Sequence, residues 1–520
     1  MSDADGGGPP TADDVTPAKT PTNARLRDFF HRLFPSLVES SFLTEARGYY
    51  EGEDRKERRE NVPEPDETSK LECIWAAEFY TPANVESLLD AFERLGWSDE
   101  ESAPLNRNPS EWLRDMRARG GTGWMNLGTF LPLGSKLSSA FNAKRMVLPP
   151  KIERASGQIF AVSSSLTCIV FCFYVYDDAG REYENVMREH VRTKLEARSN
   201  GYGVLDPRTL KETRIRELRE DLQAQLGRWF AANLPGVFSS RPGITYVPTC
   251  EMHFVTDSEE PPVDPQRANL HRSYLGIERG WRSWSCLEVP GLQFDWGLRG
   301  EKRGRVSSLL TISAKSLSSL DVKAFGGHTR YAYHGYFGIY LPALVCRWAL
   351  LELIRHYLAG INRLRDSRDF ANKTGNTADI IDNLRQLTTD SVDIASIVPE
   401  LISTDPDKLW AVRDTWDFKQ MDDRLSEDRW QLLRALDENI SRAASSLTAT
   451  ENVVRDLLLQ QGNLASAAEN LALQRSIRRL TSGMAWLTVA AVALSGLTAF
   501  AVFFPVEAKV LGDLLHSWWP

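Results

Sequence analysis

The side chains best suited to chemistry in this chain are the histidines and tyrosines of residues 326–340, GGHTRYAYHGYFGIY. Imidazole groups exchange protons near neutral pH, and phenols combine an aromatic face with a hydrogen-bonding hydroxyl. The candidate ligand-binding residues are His328, Tyr331, Tyr333 and His334. They could line a pocket where two domains meet, because pockets often form at such junctions. The alternative is an aromatic packing junction with solvated histidines.

The remaining sequence contains no pattern that identifies a reaction. The eight histidines form no HExxH pattern, and no GxSxG nucleophile setting occurs. The six cysteines lack a CxxC pair and any Cys/His spacing of the kind that binds zinc. We therefore predict no metal site and no cofactor, leave the catalytic residues unknown, and expect binding rather than catalysis.

Charge and the N-terminal sequence restrict the partners and the location. The net charge of −8 over 520 residues provides no basic field for duplex nucleic acid, so we expect no nucleic-acid partner. The N-terminus, MSDADGGGPPTADDVTPAKT, has acidic residues where a signal peptide needs basic and apolar segments. The bulk of the chain is expected in the cytosol.

The first seventy residues are predicted to precede the folded domain. Residues 1–22 are rich in Gly, Pro, Thr and Asp, which predicts a disordered tail. Apolar residues at spacings of three and four predict an amphipathic helical segment within 23–50. Residues 51–70 are dense in charges of both signs, as in a solvated linker.

An α+β domain with a mostly antiparallel sheet is predicted for residues 71–330. Its strongest strand signal, QIFAVSSSLTCIVFCFYVY at 158–176, indicates a central strand or a hairpin. Strands, helices and further strands follow one another, which is the order typical of this fold class. The other predicted strands cover 71–80, 244–255, 284–296 and 306–313, and the predicted helices cover 181–198 and 207–233.

Residues 331–426 form a predicted helical region. Its segment 336–364 is apolar enough to suggest a membrane span, but Arg347 would lie near the middle of the bilayer and Glu352 follows closely. Each central charge costs about 2.5–3.5 kcal/mol on insertion scales, so a buried amphipathic helix is favoured.

Residues 427–480 are predicted to form a stalk helix or a helical hairpin. The apolar repeat of 3.5 residues favours a coiled coil or a long bundle helix, and hence a homo-oligomer. The capping-box pattern at Thr448 and Glu451 is the observation in favour of a hairpin. The repeat runs through Leu436, Ile440, Ala443, Leu447, Thr450, Val454, Leu457, Gln461, Leu464, Ala468 and Leu471.

Residues 484–504 predict one transmembrane helix, because these twenty-one residues include no charge, amide side chain or proline. Arg475, Arg478 and Arg479 precede the span, and Lys509 is the only strong base after it. The positive-inside rule then places the large N-terminal region in the cytosol and the short tail, 505–520, outside the cell membrane. The predicted polar face of the span consists of Thr488, Ser495 and Thr498.

The order of a cytosolic domain, a long helix and a C-terminal membrane region resembles that of CorA-type magnesium channels. This resemblance covers about the last hundred residues and implies an oligomeric ion channel. The family signature, Gly-Met-Asn at the outer end of the first of two spans, is missing here, since Gly483, Met484 and Ala485 lie at the inner end of the one predicted span.

Three functions are therefore compared. The first is a single-span protein whose cytosolic domain acts as a binding, sensory or scaffolding module and oligomerises through its stalk. The second is an oligomeric pore or CorA-like channel with a reduced membrane region. The third is a membrane-tethered enzyme that acts through the His- and Tyr-rich junction.

Overall fold

The structure is a computed structural model, and parts of the 520-residue chain are described in it. The predicted disordered tail (1–22), the amphipathic segment (23–50) and most of the charged linker (51–70) lie outside the described residues. The described residues are 62–63, 67–97, 108–135, 143–198, 201–240, 246–256, 270–277, 283–297, 307–366, 393–402, 415–421 and 431–518.

Ten strands form one mixed sheet in the order β12-β9-β10-β11-β8-β1-β5-β4-β2-β3. Seven of its pairings are antiparallel, and the pairs β8–β11 and β2–β3 are parallel. A separate hairpin consists of β6 and β7. The strands are β1 Ser69–Tyr80, β2 Gly123–Pro132, β3 Ala143–Met146, β4 Ile152–Ala161, β5 Thr167–Val175, β6 Lys194–Arg198, β7 Gly201–Leu205, β8 Thr249–Val255, β9 Ser283–Cys286, β10 Leu292–Asp295, β11 Ser307–Ser313 and β12 Phe418–Gln420.

Helices connect and cover these strands. The longer ones carry apolar residues on the side that packs on the sheet, as amphipathic helices do. The labelled helices are α1 Val85–Arg94, α2 Pro109–Arg119, α3 Asp177–Gly180, α4 Glu182–Arg188, α5 Pro207–Asn233, α6 Leu270–Tyr274, α7 Ala314–Ser319, α8 Arg330–Tyr340, α9 Pro342–Asp366, α10 Leu432–Phe503 and α11 Pro505–Trp518.

The central strands are buried on both faces. On one face, Phe171 and Phe173 of β5 pack edge-on against Trp229 of α5, with ring centroids 5.1 Å apart in each pair. On the other face, Phe254 of β8 packs against Phe337 of α8 at 6.4 Å. Because both faces are covered, β5 consists entirely of buried residues, which explains its continuous apolar sequence.

The 158–176 signal proves to be a hairpin, β4 and β5, joined by a serine-rich turn. The helix predicted for 181–198 is wrong at its end: α4 stops at Arg188, and 194–198 form strand β6. The sheet also extends past residue 330, because its edge strand β12 comes from 418–420.

The segment 336–364 corresponds to α8 and α9, which meet at a bend of 53° and are together long and apolar enough to form a broken membrane span. Most apolar side chains of α9 are buried inside the protein, with Leu344, Trp348 and Leu351 fully inaccessible. Arg347 is also buried and pairs with Asp437 at 3.5 Å. A buried helix therefore accounts for this segment better than a lipid-exposed one.

The chain divides into two compact units, 1–356 with 396–444, and 357–395 with 445–520. The first unit contains the ten-stranded sheet. In the second unit the hydroxyl of Tyr357 donates to Asp393 at 3.0 Å. Helix α10 is continuous from Leu432 to Phe503, without a break at the capping-box pattern.

The N-terminal half of the predicted heptad face is already covered within one chain. Leu436, Ile440, Leu447 and Val454 are all buried. The apolar repeat over these residues therefore satisfies intrachain packing and leaves little of that face for a second copy. The coiled coil stays a prediction.

Candidate functional site

Two β-bulges place glutamates at the same end of the sheet. The register of β1 against β8 shifts between Leu71 and Cys73, and the extra residue is Glu72. The register of β4 against β5 shifts between Ile152 and Arg154, and the extra residue is Glu153. A bulge redirects side chains that regular alternation would send to the other face. Both carboxylates consequently reach the N-terminal turn of α8.

Arg330, the first residue of α8, binds both glutamates. Its Nε donates to Glu72 at 2.6 Å and its Nη1 donates to Glu153 at 3.0 Å. Its Nη2 donates to the carbonyl oxygen of Val175 at the end of β5, at 2.6 Å. One guanidinium thus ties α8 to three adjacent strands, which is a geometry suited to the rigid fork of arginine.

Glu72 is almost fully buried and ionised. Burial by itself raises the pKa of this carboxyl, but the hydrogen bond from His334 and the charges of Arg330 and Lys70 outweigh burial and lower the pKa to about 2. Lys70 lies 2.7 Å from Glu72 and 2.5 Å from Asp177. Both cations therefore have two carboxylate partners each.

His334 connects this ion-pair network to an aromatic pair. Nη2 of Arg154 lies 2.7 Å from Nδ1 of His334, and because guanidinium groups only donate, Nδ1 must accept. The proton then sits on Nε2, which donates to Glu72 at 3.3 Å. Burial lowers the pKa of His334 to about 4, so the ring is neutral at pH 7.

Arg154 lies between two tyrosine rings. Its guanidinium carbon is 4.1 Å from the ring centroid of Tyr174 and 4.8 Å from that of Tyr331. The Tyr174 ring also stacks on His334 at 4.3 Å, and the Tyr331 hydroxyl donates to Glu153 at 3.1 Å. Both rings attract the guanidinium by cation–π interaction.

The structure brings together two of the four predicted ligand-binding residues. Tyr331 and His334 belong to the Arg154 cluster, whereas His328 and Tyr333 form a separate pair in which Nδ1 and the hydroxyl are 3.0 Å apart. Tyr333 packs on Phe254, outside the cluster. Further along α8, Tyr336 and Tyr340 pack on Trp416, as an aromatic junction would.

The sequence analysis did not identify the charged contributors to the cluster, which are Lys70, Glu72, Glu153, Arg154 and Arg330, or its second tyrosine, Tyr174. The available signals were charged residues inside two strongly apolar strand sequences and the arginine that begins α8. A charge within a buried strand needs a partner, which is a reason to look for one.

A second buried polar cluster lies on the opposite face of the sheet. Glu251 of β8 accepts from the Tyr183 hydroxyl at 2.9 Å and lies 3.1 Å from Nε of Arg219. His253 Nε2 lies 3.2 Å from the same carboxylate. Burial raises the pKa of Glu251, but the charge of Arg219 and the His253 contact reverse this and lower it to about 2. These groups neutralise one another in the core.

Among the described residues no group of His, Cys, Asp and Glu has an arrangement that could hold a metal ion. All six cysteines are buried. Burial raises the pKa of the Cys73, Cys168, Cys250 and Cys286 thiols, which leaves these four uncharged at neutral pH.

One helical segment, Leu473–Phe503, is long and apolar enough to cross a membrane, and none of its apolar window is buried inside the described protein. The hydroxyls of Thr488 and Thr498 donate to the carbonyls of Met484 and Leu494 at 2.8 and 2.7 Å. These two residues of the predicted polar face thus satisfy their hydroxyls within their own helix.

No family model, curated protein or solved structure matches this chain.

Proposed function

We propose that this is a single-span, C-terminally anchored membrane protein whose cytosolic region acts as a binding, sensory or scaffolding module. The observation that carries the proposal is the thirty-one-residue segment Leu473–Phe503, whose most apolar stretch of eighteen residues has a mean hydropathy of 2.0 and is not buried inside the described protein. At 1.5 Å per residue it is about 47 Å long, enough for the hydrocarbon core of roughly 30 Å and one interface. A soluble protein rarely exposes so large an apolar surface.

The charges at the ends of the span support the orientation. Arg475, Arg478 and Arg479 lie at the N-terminal end of this segment, before the uncharged residues 484–504, and Lys509 is the basic residue that follows in α11. The positive-inside rule thus favours a cytosolic N-terminal region. Helix α11 exposes Val510, Leu511, Leu514 and Leu515, and an apolar stripe of this kind suits the far membrane interface.

We also propose that the protein self-associates through α10. The contact uses a different face of this helix from the one that carries the predicted heptad repeat. Leu473, Ile477 and Leu480 are exposed at successive spacings of four and three. Further steps of three or four residues along the same side of α10 lead to Met484, Thr488, Ala491, Ser495 and Thr498. Apolar residues before the membrane and small residues inside it are what a close contact between parallel helices requires.

A pore receives less support from the same helix. The Thr488 and Thr498 hydroxyls already have backbone partners, so they need neither water nor an ion. An enzymatic role receives little support as well, because His334 is buried and committed to Arg154 and Glu72.

The anchor is tested by extraction. We expect full-length protein to stay with membranes in alkaline carbonate and to dissolve in detergent. A variant that lacks 484–504 should appear in the soluble fraction with its sheet domain folded. Full-length protein that dissolves in carbonate alone would contradict the proposal.

A further inference from the structure

The charge of Arg154 is unbalanced by direct contact. In the described part of the chain, Arg330 and Lys70 each contact two carboxylates, whereas no carboxylate lies within 4 Å of the Arg154 nitrogens. Its one hydrogen bond is to His334, a neutral ring. A half-buried guanidinium normally has a carboxylate or phosphate partner.

The residues around Arg154 hold its guanidinium in a position suited to binding a ligand. Tyr174 and Tyr331 both contact the guanidinium through cation–π interactions, and His334 accepts a hydrogen bond from Nη2. Nε is buried without a hydrogen-bond partner among the described residues, and the one hydrogen bond of the guanidinium to them uses Nη2, so Nη1 remains as a donor for a new contact. Preorganised donors bind with less loss of entropy than mobile ones.

The site is open to solvent on the Tyr331 side, because 51% of the Tyr331 surface is exposed. Water does not reach Glu72 or His334, which are both buried. A small anion can therefore approach Arg154 along the Tyr331 ring without breaking the ion pairs behind it.

We propose that Arg154, clamped between Tyr174 and Tyr331, is the receptor for an oxyanion, a carboxylate or phosphate group of a small molecule. The oxyanion accepts from Nη1 and from the remaining N–H of Nη2, the end-on arrangement that a planar guanidinium offers. This inference deepens the binding role proposed above and rests on it, but it does not depend on the membrane anchor.

The test is the thermal unfolding of full-length protein in detergent micelles with inorganic phosphate, succinate or chloride at equal ionic strength. We expect phosphate or succinate to raise the unfolding temperature above the chloride value in a saturable way. Arg154→Gln should weaken the apparent affinity at least tenfold, and Tyr331→Ala should weaken it several-fold. A response to phosphate but not to succinate would identify a phosphate site, and the reverse a carboxylate site.

Arg181→Gln is the matched control, because it removes an exposed cation that pairs with Asp177 and leaves the tyrosine pair untouched. It should bind as the wild type does. Equal unfolding temperatures in all three salts, or equal weakening by Arg181→Gln and Arg154→Gln, would overturn the site. If Arg154→Gln fails to fold, Arg154→Lys is measured in the same assay instead. Lysine keeps the positive charge but lacks the planar guanidinium, so this variant should also lose most of the affinity for the anion. Wild-type affinity in that variant would contradict the proposal. Extraction of the same protein in carbonate reports on the anchor separately.

Discussion

At the scale of single residues, buried charged side chains within an apolar sheet fix the position of α8. Glu72 is 2% exposed, yet its carboxylate is the meeting point of Lys70, Arg330 and His334. Such a group costs desolvation energy and is stable only with its partners in place. Its main effect is to fix the first turn of α8 on strands β1, β4 and β5.

Glu72→Gln should therefore destabilise the fold. The substitution keeps the shape but leaves Lys70 and Arg330 each with one carboxylate, and the expected loss in the free energy of unfolding is on the order of 3 kcal/mol. Urea unfolding followed by tryptophan fluorescence measures it. Glu189→Gln is the control, because both side chains of its pair with Arg214 are exposed and the pair should contribute less than about 0.5 kcal/mol. Equal losses in the two variants would refute this assignment.

Glu78 should make the free energy of unfolding depend on pH near neutrality. Burial raises the pKa of this carboxyl from 4.5 to about 7, against the backbone N–H groups of Phe238 and Ser239 that bind it. Because the folded state holds the proton more tightly, this group contributes stability that is complete below pH 4.5 and is lost as the pH rises through 7.

Glu72 and Glu251 act in the opposite direction, since their lowered pKa values give stability above pH 4.5 that is lost as the pH falls towards 2. The free energy of unfolding measured from pH 4.5 to 8 should thus include a falling component that Glu78→Gln removes. An unchanged slope in that variant would show that Glu78 does not titrate in this range.

At the scale of elements, local pattern explains the helices and strands better than it explains their contacts. The β4–β5 hairpin, α5 and the buried α9 follow from periodicity and length in the sequence. The bulges at Glu72 and Glu153 do not, because each depends on the register with a neighbouring strand. The pairing of Arg330 with Glu72 joins residues far apart in the chain, so only the sheet order brings them together.

The apolar repeat in α10 likewise predicted a helix but not the partner against which that helix packs. An apolar repeat near 3.5 residues is satisfied equally well by a second copy or by the chain's own core, and the burial of Leu436 and Ile440 shows that this part is used internally. Of the predicted pocket residues, Tyr331 and His334 are adjacent because one helical turn separates them, while His328 precedes the helix.

We expect two copies of the chain to associate through the side of α10 that exposes Ile477 and Leu480. Ile477 is 59% exposed, and Arg479 is also exposed but turned to another side of the helix. Oxidative cross-linking of full-length protein in membranes should join Ile477→Cys or Leu480→Cys chains into dimers. Arg479→Cys should cross-link much less. Equal cross-linking of the two sides would indicate random collision instead of a defined interface.

At the scale of the whole molecule, the chain combines a folded sheet domain, a continuous helix and one segment that is long and apolar enough to cross a membrane. Composition indicated the crossing at 484–504, because a long apolar run needs no tertiary information to be recognised. The ligand of the domain could not be predicted from composition. The residues around Arg154 come from β4, β5 and α8, and only the folded structure brings these three elements together.

The most direct test of the central claim is the labelling of introduced cysteines with a maleimide that cannot cross membranes. All six native cysteines are buried, so they give a low background. Asp513 lies in α11, and Ser446 is an exposed residue of α10 well before the span, so both are suitable for replacement by cysteine. The account predicts that intact cells label Asp513→Cys at once and Ser446→Cys only after permeabilisation. Labelling of both positions in intact cells, or of neither, would contradict a single crossing with a cytosolic N-terminal region.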